Sequence, residues 1–204
     1  MRHVVLILFL AAPAAAQNAA ALWQSLMEGN RAFVAGKVTF DHLADLRRHS
    51  ADHQNPPVTI LSCSDSRVPP EIIFNRSLDQ LFVIRVAGNV AAAFELASIE
   101  YAIKNGYTKL IVVLGHQNCG AVKAAMEDGG EAPTPSLAAL LQRIRESFHR
   151  KPPTVRAAVE ANALASADDL LANSSVIRDA VKSGRVGLVV AYYDLASGKV
   201  ERLR

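Results

Sequence analysis

Two short segments of the sequence carry side chains that could bind a metal ion and act on a small substrate. The first is CSDSR, in which Cys63, Asp65 and Arg67 occupy alternate positions. Alternate side chains of an extended chain project to the same side, so we expect these three groups to face one cleft. The second is GHQNCG, in which His116 and Cys119 are three residues apart. At the start of a helix, this spacing lets both side chains point to one place.

Cys63, His116 and Cys119 form a ligand set that suits zinc. Two thiolates, one imidazole and an open fourth position are typical of a catalytic zinc site, whereas a structural site would use a fourth Cys or His. The helix N-terminus is expected to give Cys119 thiolate character. A disulfide between the two cysteines is the other interpretation, and it would be the default in an oxidising compartment.

Strands and helices alternate around these segments. The pattern predicts strands over residues 58–62, 81–86, 109–114 and 186–194, with a return strand over 199–203. It predicts helices over residues 20–36, 91–104, 118–126, 136–148 and 155–183, with a loop over 128–135. This alternation indicates an α/β fold with a mostly parallel central sheet flanked by helices and a C-terminal edge strand. The two chemical segments follow the first and third strands, whose carboxyl ends are where such sheets bind ligands.

Composition excludes several classes of protein. The chain has 204 residues, of which half are hydrophobic and 20% are charged, so it is neither disordered nor fibrous. Its 22 basic and 19 acidic residues are interspersed and give a net charge of +3, so we expect no nucleic-acid partner. Two cysteines are too few for a disulfide scaffold.

The first sixteen residues have the composition of a secretory signal peptide. Arg2 and His3 make a basic start, residues 4–12 are nine apolar residues, and a run of alanines ends at Ala16. Nine residues are far short of the roughly 20 that span a bilayer, and no later stretch is a candidate span. We therefore expect cleavage after Ala16, a single domain over residues 17–204, and a periplasmic or secreted protein.

Taken together, the two segments resemble the β-class carbonic anhydrases, and specifically an exported bacterial-type member. The similarity covers nearly all of the mature chain, and the combination of CSDSR with GHxxCG is its most diagnostic part. The resemblance implies a carbonate dehydratase, a zinc lyase that hydrates carbon dioxide reversibly to bicarbonate. It implies one zinc ion per chain with Cys63, His116 and Cys119 as ligands, and Asp65 and Arg67 as the catalytic dyad.

The resemblance also implies a homodimer or homotetramer in which the N-terminal helix, residues 20–36, packs on a partner subunit. Backbone groups around Ala87, Gly88 and Gly120 are expected to line the substrate pocket. Two alternatives remain open at this point. One is a carbon disulfide or carbonyl sulfide hydrolase with the same zinc ligands, since fold alone does not determine the substrate. The other is a non-enzymatic secreted binding module with a Cys63–Cys119 disulfide and no metal.

Overall fold

A computed structural model of the chain describes residues 14–127 and 133–204. Its elements in chain order are α1 (Ala14–Val34), α2 (Leu43–His49), β1 (Val58–Ser62), α3 (Pro70–Ile73), β2 (Leu81–Arg85), a 3-10 turn (Ala87–Asn89), α4 (Ala93–Lys104), β3 (Leu110–His116), α5 (Gly120–Met126), α6 (Pro135–Glu146), α7 (Val155–Asn173), α8 (Ser175–Lys182), β4 (Gly187–Tyr193) and β5 (Val200–Arg202). The basic start and apolar run of the predicted signal peptide lie outside the described residues, as does most of the predicted loop. Within the two described ranges, no helix has the length and apolar character to cross a membrane.

The five strands form one sheet in the order β2-β1-β3-β4-β5. The first four are parallel and β5 is antiparallel to β4, which confirms the mostly parallel sheet with a C-terminal edge strand. Every residue of β1 and β3 is buried, as expected of parallel strands with helices on both faces. Ser62 of β1 is in register with Leu114 of β3, so the residues that follow these strands emerge at one edge of the sheet.

Helices cover both faces of this sheet and leave the carboxyl edge of its strands partly enclosed. α1 and α3 pack on one face, around the buried side chains of Leu26 and Phe74. α4, α7 and α8 pack on the other face, around Ile111 and Leu170. A third apolar cluster, formed largely by α5, α6 and α7, lies at the carboxyl end of the strands and contains both cysteines. The candidate ligands are therefore part of the core.

A buried amide connects α1 to the last strand. Asn30 is 2% exposed, and its Nδ2 donates to the carbonyl oxygens of Ile73, at 3.2 Å, and Gly198, at 2.8 Å. Its Oδ1 accepts a hydrogen bond from the Val200 N–H at 3.0 Å. Because burying a polar group is costly unless it is hydrogen-bonded, these three contacts favour one position of α1 relative to the sheet.

The single helix predicted over residues 155–183 is wrong, because the structure has two helices that meet at Ser174. The backbone of Ser174 is extended, with φ −129° and ψ 116°, and its Oγ accepts a hydrogen bond from the Ile177 N–H. Ser174 Oγ also donates to Glu100 Oε1 at 2.5 Å. The serine therefore caps α8, which a continuous helical pattern in the sequence does not reveal.

Other element boundaries differ from the predicted ones. α1 begins at Ala14 rather than residue 20, and β3 extends to His116 rather than ending at residue 114. α2 is not predicted at all, because none of its residues is buried and it lacks an apolar pattern. The extension of β3 has a chemical consequence, since it places His116 on the strand itself.

Candidate metal centre

Three elements bring the predicted ligands together. Cys63 follows β1 directly, His116 is the last residue of β3, and Cys119 is the residue before α5. Asn118 adopts a left-handed conformation, with φ 55°, in the turn between strand and helix. The ligand atoms of Cys63, His116 and Cys119 all lie within 4.8 Å of one another, and all three residues are buried.

Asp65 and Arg67 meet through a turn and not through an extended segment. The Val68 N–H donates to the Asp65 carbonyl oxygen at 3.0 Å, and the Arg67 N–H donates to Asp65 Oδ1 at 2.9 Å. An aspartate that accepts a hydrogen bond from the backbone two residues later is typical of an Asx-turn. The expected alternation of side chains past Cys63 is therefore wrong, although the expected proximity of the two side chains is correct.

The two side chains form a bidentate ion pair at the mouth of the cluster. Arg67 Nε donates to Asp65 Oδ1 at 2.9 Å, and a terminal nitrogen of Arg67 donates to Oδ2 at 2.7 Å. The hydrogen bonds from Arg67 hold the pKa of Asp65 well below its usual range. Asp65 Oδ2 also lies 3.9 Å from His116 Nε2. The carboxylate is thus ionised, oriented by Arg67, and next to the ligand cluster.

The imidazole of His116 is arranged as a metal ligand would be. Its Nδ1 donates to the carbonyl oxygen of Gln117 at 3.0 Å, so in the neutral ring Nε2 is the nitrogen with a free lone pair. Nε2 is buried and has no hydrogen-bond partner among the described residues. Metal-bound histidines commonly use their second nitrogen in this way, and an unpaired buried nitrogen is otherwise costly. The residues present therefore fit a metal ion bound at Nε2.

The two sulfur atoms fit zinc better than they fit a disulfide. Both thiols are free, and their sulfurs are 4.0 Å apart, roughly twice the S–S bond length of about 2.05 Å. The disulfide alternative is therefore wrong for this structure. Two thiolates at about 2.3 Å from a tetrahedral zinc ion would be separated by about 3.8 Å, close to the observed distance.

The thiols share their protons unequally. A hydrogen bond from Cys119 is the main cause that lowers the pKa of Cys63, to about 4. The same contact, together with burial, raises the pKa of Cys119. The N–H groups of Ala121 and Val122 at the start of α5 lower the pKa of Cys119, as expected from the helix N-terminus, but the effect of Cys63 and burial is larger. A dication would remove this asymmetry, because a thiol that coordinates a metal is deprotonated outright.

The predicted pocket residues belong to two elements that adjoin the candidate ligands. Ala87 and Gly88 form the 3-10 turn, and the Gly88 N–H donates to Cys63 Sγ at 3.3 Å. Gly120 is exposed at the start of α5, directly after Cys119. Their contact with a substrate stays a prediction.

Sequence reasoning does not find the contacts by which Arg85 supports the CSDSR segment. Arg85 Nε donates to the Cys63 carbonyl oxygen at 3.0 Å, and a terminal nitrogen donates to the Asp65 carbonyl oxygen at 2.6 Å. These contacts arise because Arg85 of β2 is in register with Ser62 of β1. The residue spacing within CSDSR does not predict these contacts, since the register between two strands depends on tertiary packing.

The fold and the cluster together define a class: an α/β protein with a three-ligand site suited to zinc. A sequence model of the family described as "Carbonic anhydrase" matches residues 58–200. The carbonic anhydrase of Mycolicibacterium smegmatis is 35% identical over 191 residues, which cover 90% of this chain and 93% of the relative. Carbonic anhydrase 2 of Mycobacterium tuberculosis H37Rv is 36% identical over 199 residues, which cover 89% and 91%.

Solved structures have the same architecture. The β-carbonic anhydrase CcaA superimposes with a TM-score of 0.72 at 27% identity, over 89% of this chain and 95% of that one. A Coccomyxa β-carbonic anhydrase in complex with acetazolamide gives a TM-score of 0.69 at 26% identity, over 87% and 84%. This chain belongs to the carbonic anhydrase family, in its β-class.

Proposed function

We propose that this protein is an exported β-class carbonic anhydrase that holds one zinc ion and hydrates carbon dioxide reversibly to bicarbonate and a proton. The observation that carries the proposal is the buried cluster of Cys63, His116 and Cys119, in which His116 Nε2 has no partner within the described part of the chain. Family membership and the relatives named carbonic anhydrase support the substrate.

The three ligands have separate parts in this proposal. Cys63 and Cys119 would bind the ion as thiolates, and His116 would bind it through Nε2. With three protein ligands, a fourth position stays open to water or substrate. Zinc in such a site lowers the pKa of a bound water, so that a nucleophile for carbon dioxide is available near neutral pH.

Asp65 and Arg67 would orient the reaction. An ionised carboxylate is only an acceptor, so Asp65 can receive a hydrogen bond from the attacking water and direct its lone pair at the substrate carbon. Arg67 donates two hydrogen bonds to the Asp65 carboxylate. These bonds would restrain the carboxylate from moving toward the metal ligands. The roles of the two residues therefore follow from the charge and geometry of one ion pair.

Metal content and carbon dioxide hydration test this function directly. The purified mature protein should contain about one zinc ion per chain and should hydrate carbon dioxide in a stopped-flow assay. His116→Ala should lose both zinc and activity, while His149→Ala, a change at an exposed histidine far from the motif in sequence, should keep both. Zinc retained at full occupancy in His116→Ala would contradict the ligand assignment. Hydrolysis of carbonyl sulfide faster than hydration of carbon dioxide would favour the sulfur-analogue alternative.

Assembly and location complete the proposal. We expect a homodimer or homotetramer, an expectation supported by the tetrameric β-carbonic anhydrases of Sordaria macrospora, whose chain superimposes with a TM-score of 0.69 at 24% identity. The basic and apolar pattern of residues 1–16 supports export to the periplasm or outside the cell. Light scattering of the purified protein gives the subunit number, and N-terminal sequencing of the protein from an exporting bacterial host shows whether Gln17 is the first residue.

A further inference from the structure

Asn162 is a polar residue in the interior of α7, and it is completely buried. Its neighbours on the buried face of the helix include the apolar residues Ala158, Val159 and Ala163. A buried amide is retained at a cost unless its polar atoms find partners. Asn162 satisfies only part of this requirement, because its Oδ1 is buried with no hydrogen-bond partner among the described residues. An apolar residue would fill the same place without that cost, so packing alone does not explain the asparagine.

The bond that Asn162 does make is directed at the metal centre. Asn162 Nδ2 donates to the Gly88 carbonyl oxygen at 2.6 Å, between residues 74 positions apart. Gly88 in turn donates its N–H to Cys63 Sγ at 3.3 Å. Both polar backbone groups of Gly88 are therefore hydrogen-bonded: the carbonyl oxygen to the Asn162 amide of α7, and the N–H to the sulfur of a candidate ligand.

The direction of the Gly88 N–H depends on the conformation of the turn that contains it. Gly88 has a φ of 71°, in the left-handed region, inside a turn of only three residues. Its N–H can point at the sulfur only while this conformation is kept. Since Asn162 is the side chain that binds the Gly88 carbonyl, it opposes a rotation of the turn that would carry the N–H away from Cys63.

We propose that Asn162 is a positioning residue for the metal centre, which holds Gly88 so that the Gly88 N–H donates to the Cys63 sulfur. The inference rests on the proposed function to the extent that Cys63 is a zinc ligand. Hydrogen bonds to ligand atoms tune the affinity of a metal site, and loss of an outer partner typically costs about 10–100-fold in affinity or activity. Asn162 would thus act on zinc through two intermediates and without touching the ion.

Zinc affinity and the spectrum of the cobalt-substituted protein test this role. We expect Asn162→Ala to weaken zinc binding by about 10–100-fold in competition with a chelator. We also expect it to shift the thiolate-to-cobalt charge-transfer band, because that band depends on hydrogen bonding at sulfur. Asn30→Ala is the matched control, since it removes another buried amide that contacts Ile73, Gly198 and Val200 instead of the site. It should lower thermal stability and leave zinc affinity and the cobalt band unchanged.

Asn162→Ser provides a second variant if Asn162→Ala does not fold. The serine side chain is too short to reach the Gly88 carbonyl from the same backbone position, so zinc affinity should again fall about 10–100-fold. Folded Asn162 variants with zinc affinity within twofold of the unsubstituted protein, and with an unshifted cobalt band, would overturn the inference. A failure of the proposed function is distinguishable, because the unsubstituted protein would then bind no zinc or hydrate no carbon dioxide.

Discussion

Gly88→Ala should damage both the stability of the protein and its metal site. The alanine would have to adopt the left-handed φ of 71°, at a cost of about 1–2 kcal/mol. Its Cβ would also lie 2.6 Å from Ile144 Cδ1, closer than carbon atoms can approach. This atom is the flexible end of the Ile144 side chain, which is completely buried and must therefore shift within the packed core. Overpacking of this kind costs about 1–3 kcal/mol more.

Gly184→Ala is the control that separates these two costs. Gly184 has nearly the same φ, 72°, but a Cβ there would meet nothing within 4 Å. The Gly184→Ala variant should lose only the free energy of unfolding that the left-handed conformation costs an alanine, about 1–2 kcal/mol. With about 2–4 °C of melting temperature per kcal/mol for a chain of this size, Gly88→Ala should melt about 2–12 °C below Gly184→Ala.

Thermal melting of the metal-free proteins, followed by circular dichroism, measures that difference, because weaker zinc binding would add to it in the loaded proteins. Zinc affinity adds a second readout, because a displaced Gly88 can no longer donate to Cys63 Sγ. We expect at least tenfold weaker zinc binding in Gly88→Ala and no change in Gly184→Ala. Equal melting temperatures for the two variants would refute the clash, and equal zinc affinities would refute the link between this turn and the metal.

Three further predictions concern the dyad, the thiols and the first helix. Asp65→Ala and Arg67→Ala should each lower carbon dioxide hydration more than tenfold with zinc content unchanged, because both residues orient the reactants and neither is a ligand. Activity within twofold of the unsubstituted protein would show that the two residues form a surface ion pair without a part in the reaction. In the metal-free protein the pKa of Cys63 is lowered to about 4, so its thiolate persists as the pH falls. Alkylation of Cys63 at pH 6 should therefore be nearly as fast as at pH 8, whereas alkylation of an ordinary thiol would slow about 100-fold. Bound zinc should protect Cys63 from the reagent. Gly29→Ala should lower the melting temperature, measured by calorimetry, because its Cβ would clash with the backbone oxygen of Phe74. Alanine normally stabilises a helix by about 1 kcal/mol relative to glycine, so a rise in melting temperature would contradict the packing of α1 on α3.

The clustering of Cys63, His116 and Cys119 could be predicted from the sequence because it depends on local features. Cys63, His116 and Cys119 lie at the ends of strands that apolar runs identify, and parallel strands place such ends at one edge. The proximity of Asp65 and Arg67 could also be predicted, because the two residues lie in one short segment. The turn that brings their side chains together could not be predicted, since side chains alternate only while the chain stays extended.

The residues that support the site could not be predicted, because their partners are chosen by tertiary packing. Asn162 contacts a residue 74 positions away, and Arg85 contacts carbonyl groups 22 and 20 positions away through strand register. The break between α7 and α8 at Ser174 could not be predicted either, because it also depends on a tertiary contact. Its cap is strengthened by a contact with Glu100 that no pattern within the helix contains.

The three hydrogen bonds of Asn30 have a consequence for how the protein folds. Two of them join α1 to residues 168 and 170 positions later, so they can form only when nearly the whole chain is available. Closing so long a loop is entropically costly and is compensated only when the hairpin of β4 and β5 is in place. The first helix and the last strand therefore gain their final stability together, as one cooperative unit. Removal of the residues after Ser197 would therefore take two of the three hydrogen bonds of Asn30 from α1, in addition to removing β5.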